Sequence, residues 1–437
     1  MSSITISSNN KVADSTYFLE GGKHSFAHSL ACAAFSKSGF INFVPDIIDS
    51  QVLIKILEKI FSKVNFDAKE NTLRYENPKY LDEVILEENL LQKSRNVFCL
   101  LPALLYYTKQ VKLSGSPTGC SIGERPTDWY FDILKSFGVQ IEKKKTSSDI
   151  LLSWSKRTPG KIKFKYPTMT GTVIAIAMAS VANGTSIIEG SSKEPSCDDQ
   201  IECLCLMGGV ANIRKNKITI TGQSNLKLDV LNVKPDRVHA VTIITAALLT
   251  KGAVKVKANS AIRVPEFINF LKQTGVLVEY SDIHIYACFP KDKNFLANVN
   301  INAGSEPLFS SDWVAFAALL LATRSKGISR ISDDVFPKRF QFVDCLSKYG
   351  LSNISTEFTT LNGRKSVVAY IEGDPNKVLD GGKISKCDDI RGSATILLSA
   401  LVSASPVTIE DDFQLRRGYK DLAKDLVNMG ICNFERE

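Results

Sequence analysis

The sequence predicts an α/β protein built from six repeats and grouped as two lobes of three. Three observations carry that expectation. A helix-ending signature, Leu-x-x-x-Gly, recurs at Leu134…Gly138, Leu204…Gly208, Leu271…Gly275, Leu346…Gly350 and Leu426…Gly430, with a degenerate first copy at Leu57 where Phe61 holds the glycine position. The leucines are 77, 70, 67, 75 and 80 residues apart, so six copies span the 437 residues. Each copy also carries an earlier helix rich in small residues, clearest from Ala175, Ala240, Ala315 and Ala394. A helix apolar on nearly every side is a buried helix, so each unit should hold one inner helix, one amphipathic outer helix and covering strands. Finally, no unit has the roughly 20 to 50 residue period of a solenoid, which favours two lobes with a cleft over a linear stack.

Taken in order, the N-terminal segment Ser2 to Glu20 reads as strands that pair with the C-terminal lobe, and Gly21-Gly22 is a crossing point. Residues 1–22 with 236–437 form lobe I, and residues 23–235 form lobe II, which carries a Gly-punctuated loop around Cys120. Pro126 suits the first turn of a helix that continues through Trp129, Ile133 and Leu134 to a stop at Gly138. Unpaired amides at that helix start, with Arg125 beside them, would bind a small anion and lower the pKa of the Cys120 thiol. Lys234-Pro235-Asp236-Arg237 is the second crossing.

Composition narrows the function classes. The chain is 44% hydrophobic and 23% charged, the balance of a soluble enzyme of two or more domains. No apolar run reaches the roughly 18 residues a membrane span needs, and Met1-Ser-Ser-Ile-Thr-Ile lacks a signal-peptide pattern, so a cytoplasmic location is expected. Ten cysteines scattered among apolar residues suit reduced core positions such as Cys32, Cys99, Cys203, Cys205 and Cys345. Cys203-x-Cys205 is not zinc spacing, and with four histidines no metal site is expected. A net charge of +8 without arginine-rich or aromatic-basic tracts points to a small anionic substrate rather than nucleic acid, and the lysine run from Lys143 reads as a solvated loop.

The segment Gly119-Cys-Ser-Ile-Gly-Glu-Arg-Pro-Thr-Asp128 resembles the active-site loop of the UDP-N-acetylglucosamine enolpyruvyl transferases of peptidoglycan synthesis. The likeness runs the length of the chain: Tyr166 to Thr172, Lys193-Glu194-Pro195, Pro235-Asp236-Arg237, Ser311-Asp312, Val335 to Phe340, Asp389-Ile390-Arg391 and Arg417-Gly418-Tyr419 match similar segments. The sister family making enolpyruvylshikimate phosphate fits less well, because its Gly-Asn-x-Gly-Thr phosphate loop is absent.

The resemblance implies an inside-out α/β barrel and transfer of the enolpyruvyl group of phosphoenolpyruvate to an acceptor hydroxyl, with no cofactor, by a monomer or weak homo-oligomer that binds neither nucleic acid nor membrane. It assigns Lys23, Arg125 and Arg417 to the phosphate and carboxylate of phosphoenolpyruvate, with Arg95 and Arg391 as further contributors and Arg339 nearby. Asp312 becomes the base or hydroxyl-orienting group, Cys120 the acid or covalent participant on a closing loop, and Asp389 a second proton-handling carboxylate. Uridine contacts fall on Arg125, Pro126, Thr127 and Asp128 and on Thr168, Met169 and Thr170, and Val335 is among the substrate-binding residues.

Departures concentrate in the sugar half. His24 replaces an asparagine that helps bind the acceptor, Thr170 to Ile174 differs from the usual Gly-Ala-Thr-Glu-Asn, and Phe309-Ser-Ser-Asp312 replaces Phe-Pro-Thr-Asp. Two alternatives therefore stand beside UDP-N-acetylglucosamine as acceptor. One is a specialised enzyme acting on UMP or another secondary-metabolism acceptor; the other is a non-catalytic nucleotide-binding paralogue.

Overall fold

The computed structural model describes residues 3–115, 117–122, 127–143, 148–361, 363–385 and 387–437. The protein is a mixed α/β structure in two compact units, one of Met1–Glu20, Cys120–Glu124 and Pro235–Glu437 (unit 1), the other of Gly21–Gly119 and Arg125–Lys234 (unit 2). Among the described residues the strands form six open sheets, three in each unit, and none is a closed barrel.

All six sheets share one strand pattern. In unit 2, Leu81–Leu86 lies parallel to Thr108–Ser114, which is followed across the sheet by Asp149–Ser153 and Gln140–Lys143 in antiparallel pairing. A parallel pair needs a crossover, and here it is the buried helix Val97–Tyr107. The outer helix Asp128–Ser136 then leads into the hairpin that completes the sheet. Lys161–Lys163, Thr185–Glu189, Lys217–Thr221 and Val210–Arg214 repeat the arrangement around the helix Met169–Val181.

Chain ends close both units. Val230–Asn232, the last strand of unit 2, pairs in parallel with Ser38–Asn42 and completes the first sheet of that unit. In unit 1, Asp14–Phe18 pairs in parallel with Ala253–Lys257, and Ile4–Ser8 is inserted between Val407–Ile409 and Cys432–Arg436. The N-terminal strands thus supply edges and centres that the C-terminal chain lacks. The middle sheet of unit 1, built on Asn300–Gly304, Ser325–Asp333, Arg364–Gly373 and Ile354–Leu361, gains two short extra strands.

The small-residue helices are interior. Every residue of Ile390–Ser399 is buried, as is every residue of Val314–Arg324 except Arg324, and of Lys23–Ala33 except His24. The outer helix Pro265–Gln273 instead buries one face, Phe267, Ile268, Phe270 and Leu271. The Leu-x-x-x-Gly signature is a helix stop. Gly138, Gly208, Gly275, Gly350 and Gly430 all have φ between +75° and +95°, and the next residue's N–H returns to the carbonyl of the signature leucine. This is the Schellman geometry, which a side chain at that glycine would strain. Phe61, in the degenerate copy, has φ −119° and runs straight into a strand without it.

Some expectations need correction. Trp129 is 48% exposed, so only Ile133 and Leu134 of the residues expected to anchor that helix face the core. Cys205 is exposed, on the outward side of the helix Pro195–Leu206, whereas Cys345 on the helix Gln341–Ser347 is half-buried and packs against the core of unit 1. The unit boundaries fall at residues 20/21 and 234/235, and Cys120–Glu124 groups with unit 1, whereas the sequence assigned the whole loop to the other lobe. Backbone pairing accounts for that grouping: the Ser121 N–H donates to the Asp388 carbonyl at 2.8 Å, and the Ile122 carbonyl accepts from Lys338 N–H at 3.3 Å. No described helix is long and apolar enough to cross a membrane.

Candidate active site

In unit 1 the chemistry gathers where inner helices begin. Asp389 caps the helix Ile390–Ser399, its Oδ2 accepting from Gly392 N–H at 3.0 Å. The same carboxylate accepts from Arg339 Nη1 at 3.0 Å on both oxygens. Arg339 turns its Nη2 to Asp312 Oδ1 at 2.8 Å. The other Asp312 oxygen accepts from Arg391 Nη2 at 3.1 Å and Nε at 3.3 Å. Asp312 therefore lies between two guanidinium groups, each of which offers the planar fork suited to a carboxylate.

Exposure separates the two carboxylates. Asp389 and Arg339 are 1% exposed, whereas the Asp312 side chain is 21% exposed. Burial disfavours the charge on Arg339, but Asp389 and Asp312 override it and hold the guanidinium above its ordinary pKa. Arg391 behaves the same way, with Asp312 opposing the cost of burial. Asp389 is thus bound up in supporting the network, and Asp312 is its face toward solvent.

The half-buried Cys120 thiol is 3.6 Å from Arg417 Nη1, and Arg417 is held by Gln414 Oε1 at 2.9 Å. A cation does flank the thiol, but the described one is Arg417, supplied by the helix Phe413–Gly418. Arg125 and Pro126 lie outside the described residues. Val335 donates its N–H to Asp333 Oδ1 at 2.8 Å, which shapes the turn leading to Arg339. Burial raises the Asp333 pKa, against the pull of Ser311 and Arg339.

Unit 2 holds its candidates differently. Lys23 opens the helix Lys23–Ala33 and pairs with Asp49 at 3.5 Å, both side chains nearly buried. His24 stacks on His28, with centroids 5.8 Å apart and an interplanar angle of 12°. Arg95, 8% exposed, lies 5.2 Å from the Tyr130 ring centroid and 5.9 Å from that of Phe98. Thr168 caps Met169–Val181 through Oγ1 and the Gly171 N–H at 3.4 Å, which leaves Thr168, Met169 and Thr170 half-buried at the helix start. Thr127 occupies the cap position of Asp128–Ser136 without a side-chain cap, and the exposed Asp128 pairs with Lys143 at 3.6 Å.

A family model described as EPSP synthase (3-phosphoshikimate 1-carboxyvinyltransferase) matches residues 22–426. The chain belongs to this family. Among the relatives of this family member, the UDP-N-acetylglucosamine 1-carboxyvinyltransferase of Wolbachia pipientis subsp. Culex pipiens is 29% identical over 444 residues and covers 99% of each chain. The protein of the same name from Elusimicrobium minutum is 30% identical over 397 residues, covering 89% of this chain and 88% of its own. The crystal structure of the enolpyruvyl transferase NikO from Streptomyces tendae superposes with a TM-score of 0.84 at 22% identity, covering 100% and 98% of the two chains. EPSP synthase from Acinetobacter baumannii superposes at 0.73 with 16% identity over 100% of both. These two likenesses concern the fold alone.

Sequence reasoning missed several partners in this family member. Asp49 sits on an ordinary amphipathic helix 26 residues from Lys23, and nothing local marks it as the lysine's counterion. Gln414 supports Arg417 from one turn earlier on the same helix, and Asp333 holds the N–H groups of Val335 and Phe336 in the turn leading to Arg339, local contacts that no motif singled out. Tyr419 did stand in a matching segment, yet its hydroxyl contacts to Arg391 and Thr242 appear only when two helices come together. Among the described residues no group of three or more His, Cys, Asp or Glu is placed to hold a metal ion.

Proposed function

We propose that this protein is a phosphoenolpyruvate-dependent enolpyruvyl transferase whose acceptor is a nucleotide sugar, UDP-N-acetylglucosamine first among candidates. The observation that carries the reading is Asp312, partly open to solvent and gripped by Arg339 and Arg391, in the same unit as a thiol beside Arg417. Full-length relatives named UDP-N-acetylglucosamine 1-carboxyvinyltransferase support the acceptor. The finer fold assignment, an inside-out α/β arrangement of six repeats, draws support from the six sheets of like strand order around buried helices.

In this reading Asp312 accepts the proton of the attacking hydroxyl while its oxygen bonds to C2 of phosphoenolpyruvate, and Cys120 delivers a proton to C3. The adduct then loses a proton from C3 to the Cys120 thiolate, Asp312 returns its proton to the departing phosphate oxygen as the bond from C2 to that oxygen breaks, and inorganic phosphate leaves. Positive charge must balance the phosphate and carboxylate throughout, a task for Arg417, Arg391 and Lys23, with Arg95 and Arg125 as further contributors. Asp389 serves through Arg339 rather than by touching substrate. Thr168 to Thr170 and Thr127 to Asp128 are assigned to the uridine. The chemistry requires no cofactor.

A second reading, transfer to UMP or another nucleotide lacking the amino sugar, draws on His24. Its imidazole is stacked on His28, where an amide would present donor and acceptor groups. A phosphate-release assay with phosphoenolpyruvate and a panel of uridine nucleotides tests both. Release with UDP-N-acetylglucosamine supports the first, release with UMP alone the second, and no release with any acceptor ends the transferase reading.

A further inference from the structure

Behind the carboxylate and arginine network of unit 1 lies a buried group that the chemistry above leaves unused. His239 occupies the first turn of the helix Arg237–Leu249, with Nε2 at 3.1 Å from Asp425 Oδ2 and 3.3 Å from the Tyr17 hydroxyl. Its ring meets that of Tyr419 edge to face, with centroids 5.3 Å apart at 86°.

From Tyr419 the hydrogen bonds have a fixed direction. A guanidinium only donates, so Arg391 Nη1 donates to the Tyr419 oxygen at 3.4 Å. Thr242 Oγ1 donates to the Val238 carbonyl at 2.9 Å, which leaves its lone pairs to accept from the Tyr419 hydroxyl at 2.9 Å. Tyr419 thereby takes up one guanidinium corner, and the Nε and Nη2 of Arg391 are left facing Asp312 Oδ2. Both His239 and Thr242 stand on the same helix, so one element sets the ring and the hydroxyl of Tyr419 together.

We propose that His239 is a positioning residue for enolpyruvyl transfer: Asp425 holds its imidazolium against Tyr419, and Tyr419 orients Arg391 on Asp312. This rests on the transferase reading of the same site. A cation in the first turn of a helix opposes the helix dipole, so the charge needs its carboxylate. The groups facing the ring are Asp425 from the helix Leu422–Asn428, Tyr17 and Glu20 from the N-terminal segment, Asp236 at the helix cap, and Tyr419 with Arg391 behind it. Burial lowers the histidine pKa, but Asp425, Asp236 and Glu20 outweigh it and hold the proton above the usual 6.5. Tyr17 stays protonated, because burial and then Asp425 push its pKa up.

The test is the pH dependence of phosphate release in wild type, His239→Gln and Asp425→Asn. In wild type, kcat should fall by about fivefold as pH rises through the His239 pKa, since one charge-supported contact is lost. His239→Gln should show the lower rate at every pH without that limb, and with an acceptor KM within about twofold of wild type. Asp425→Asn should move the limb to lower pH. A limb unchanged in both variants overturns the proposal. The Arg391 Nε resonance, followed by NMR as His239 titrates, reads the same coupling without turnover. It should follow His239 in wild type and lose that response in Tyr419→Phe; an Arg391 resonance blind to His239 overturns the inference even in an active enzyme. Coupling without phosphate release would sink the transferase reading and leave the His239–Arg391 link standing.

Discussion

Unit 1 and unit 2 use the same strand and helix pattern but treat the starts of their buried helices in opposite ways. In unit 1, Asp236 and Asp389 cap two inner helices with carboxylates, and Arg339 and Arg391 are tied to acids within a buried network. Inner helices of unit 2 begin at Gly22, Asn96 and Thr168, none of them acidic, and of these only Thr168 caps with its side chain. There Lys23 pairs with Asp49, and Arg95 lies against the rings of Tyr130 and Phe98. A helix start filled by a carboxylate has spent its affinity for anions, whereas one carrying lysine or arginine keeps it. One scaffold therefore carries an acid–base network at its helix starts in one unit and largely buried basic groups in the other.

The comparison breaks first at Arg339. Replacing it with methionine leaves Asp312 and Asp389 without their shared cation, and loss of one partner of a buried ion pair typically costs about 3 to 5 kcal/mol. Chemical unfolding should register a loss of that size together with loss of turnover. Unfolding at the wild-type midpoint would show that the network contributes nothing to the stability of unit 1.

Next in size is a difference in sign with pH. His28 in unit 2 is fully buried, neither ring nitrogen has a well-formed hydrogen bond, and burial pushes its pKa down to about 3. The unfolded chain binds that proton near 6.5 and the folded one does not, so stability declines as pH falls from about 6.5 toward 3. His239 in unit 1 has a raised pKa, and its contribution is complete below 6.5 and lost as pH rises through the folded value. His28→Phe should flatten the acid side of a stability profile and His239→Gln the alkaline side. Identical profiles for the two variants would erase the distinction.

Lys23→Met sharpens the contrast from the other direction. Loss of a charge-assisted contact to phosphate should lower kcat/KM for phosphoenolpyruvate at least tenfold, about 1.5 to 3 kcal/mol. Thermal unfolding should move less than in the Arg339 variant, and steady-state kinetics beside a melting curve would check the pair. The smallest effect should be common to both units. Gly208→Ala and Gly275→Ala place a side chain at φ +84° and +87°, where nothing else lies within 4 Å, so each should cost only the backbone strain of about 1 to 2 kcal/mol. Unequal losses in denaturant melts would show that the repeated helix stop is not equivalent in the two units.

Those glycines also mark how far a sequence can be read. A left-handed stop depends on local backbone sterics, so Leu-x-x-x-Gly announced five helix ends, and small apolar residues announced the buried helices, before any contact was known. The candidate residues were legible one by one, as Lys23, Cys120, Asp312, Arg391 and Arg417 were, because their segments resemble those of a family. Their partners were not. Asp49 beside Lys23, Arg417 beside Cys120, Arg339 bridging Asp312 to Asp389, and His239 behind Tyr419 are pairings between distant stretches of chain. The sequence by itself determined the repeat, the inner helices and the supply of chemical groups, since these follow from local sterics and the periodicity of apolar residues. Only the tertiary structure decided which carboxylate faces solvent, which cation meets the thiol and which chain end completes each sheet, because electrostatic pairing and strand pairing act through space and leave no local trace in the order of residues.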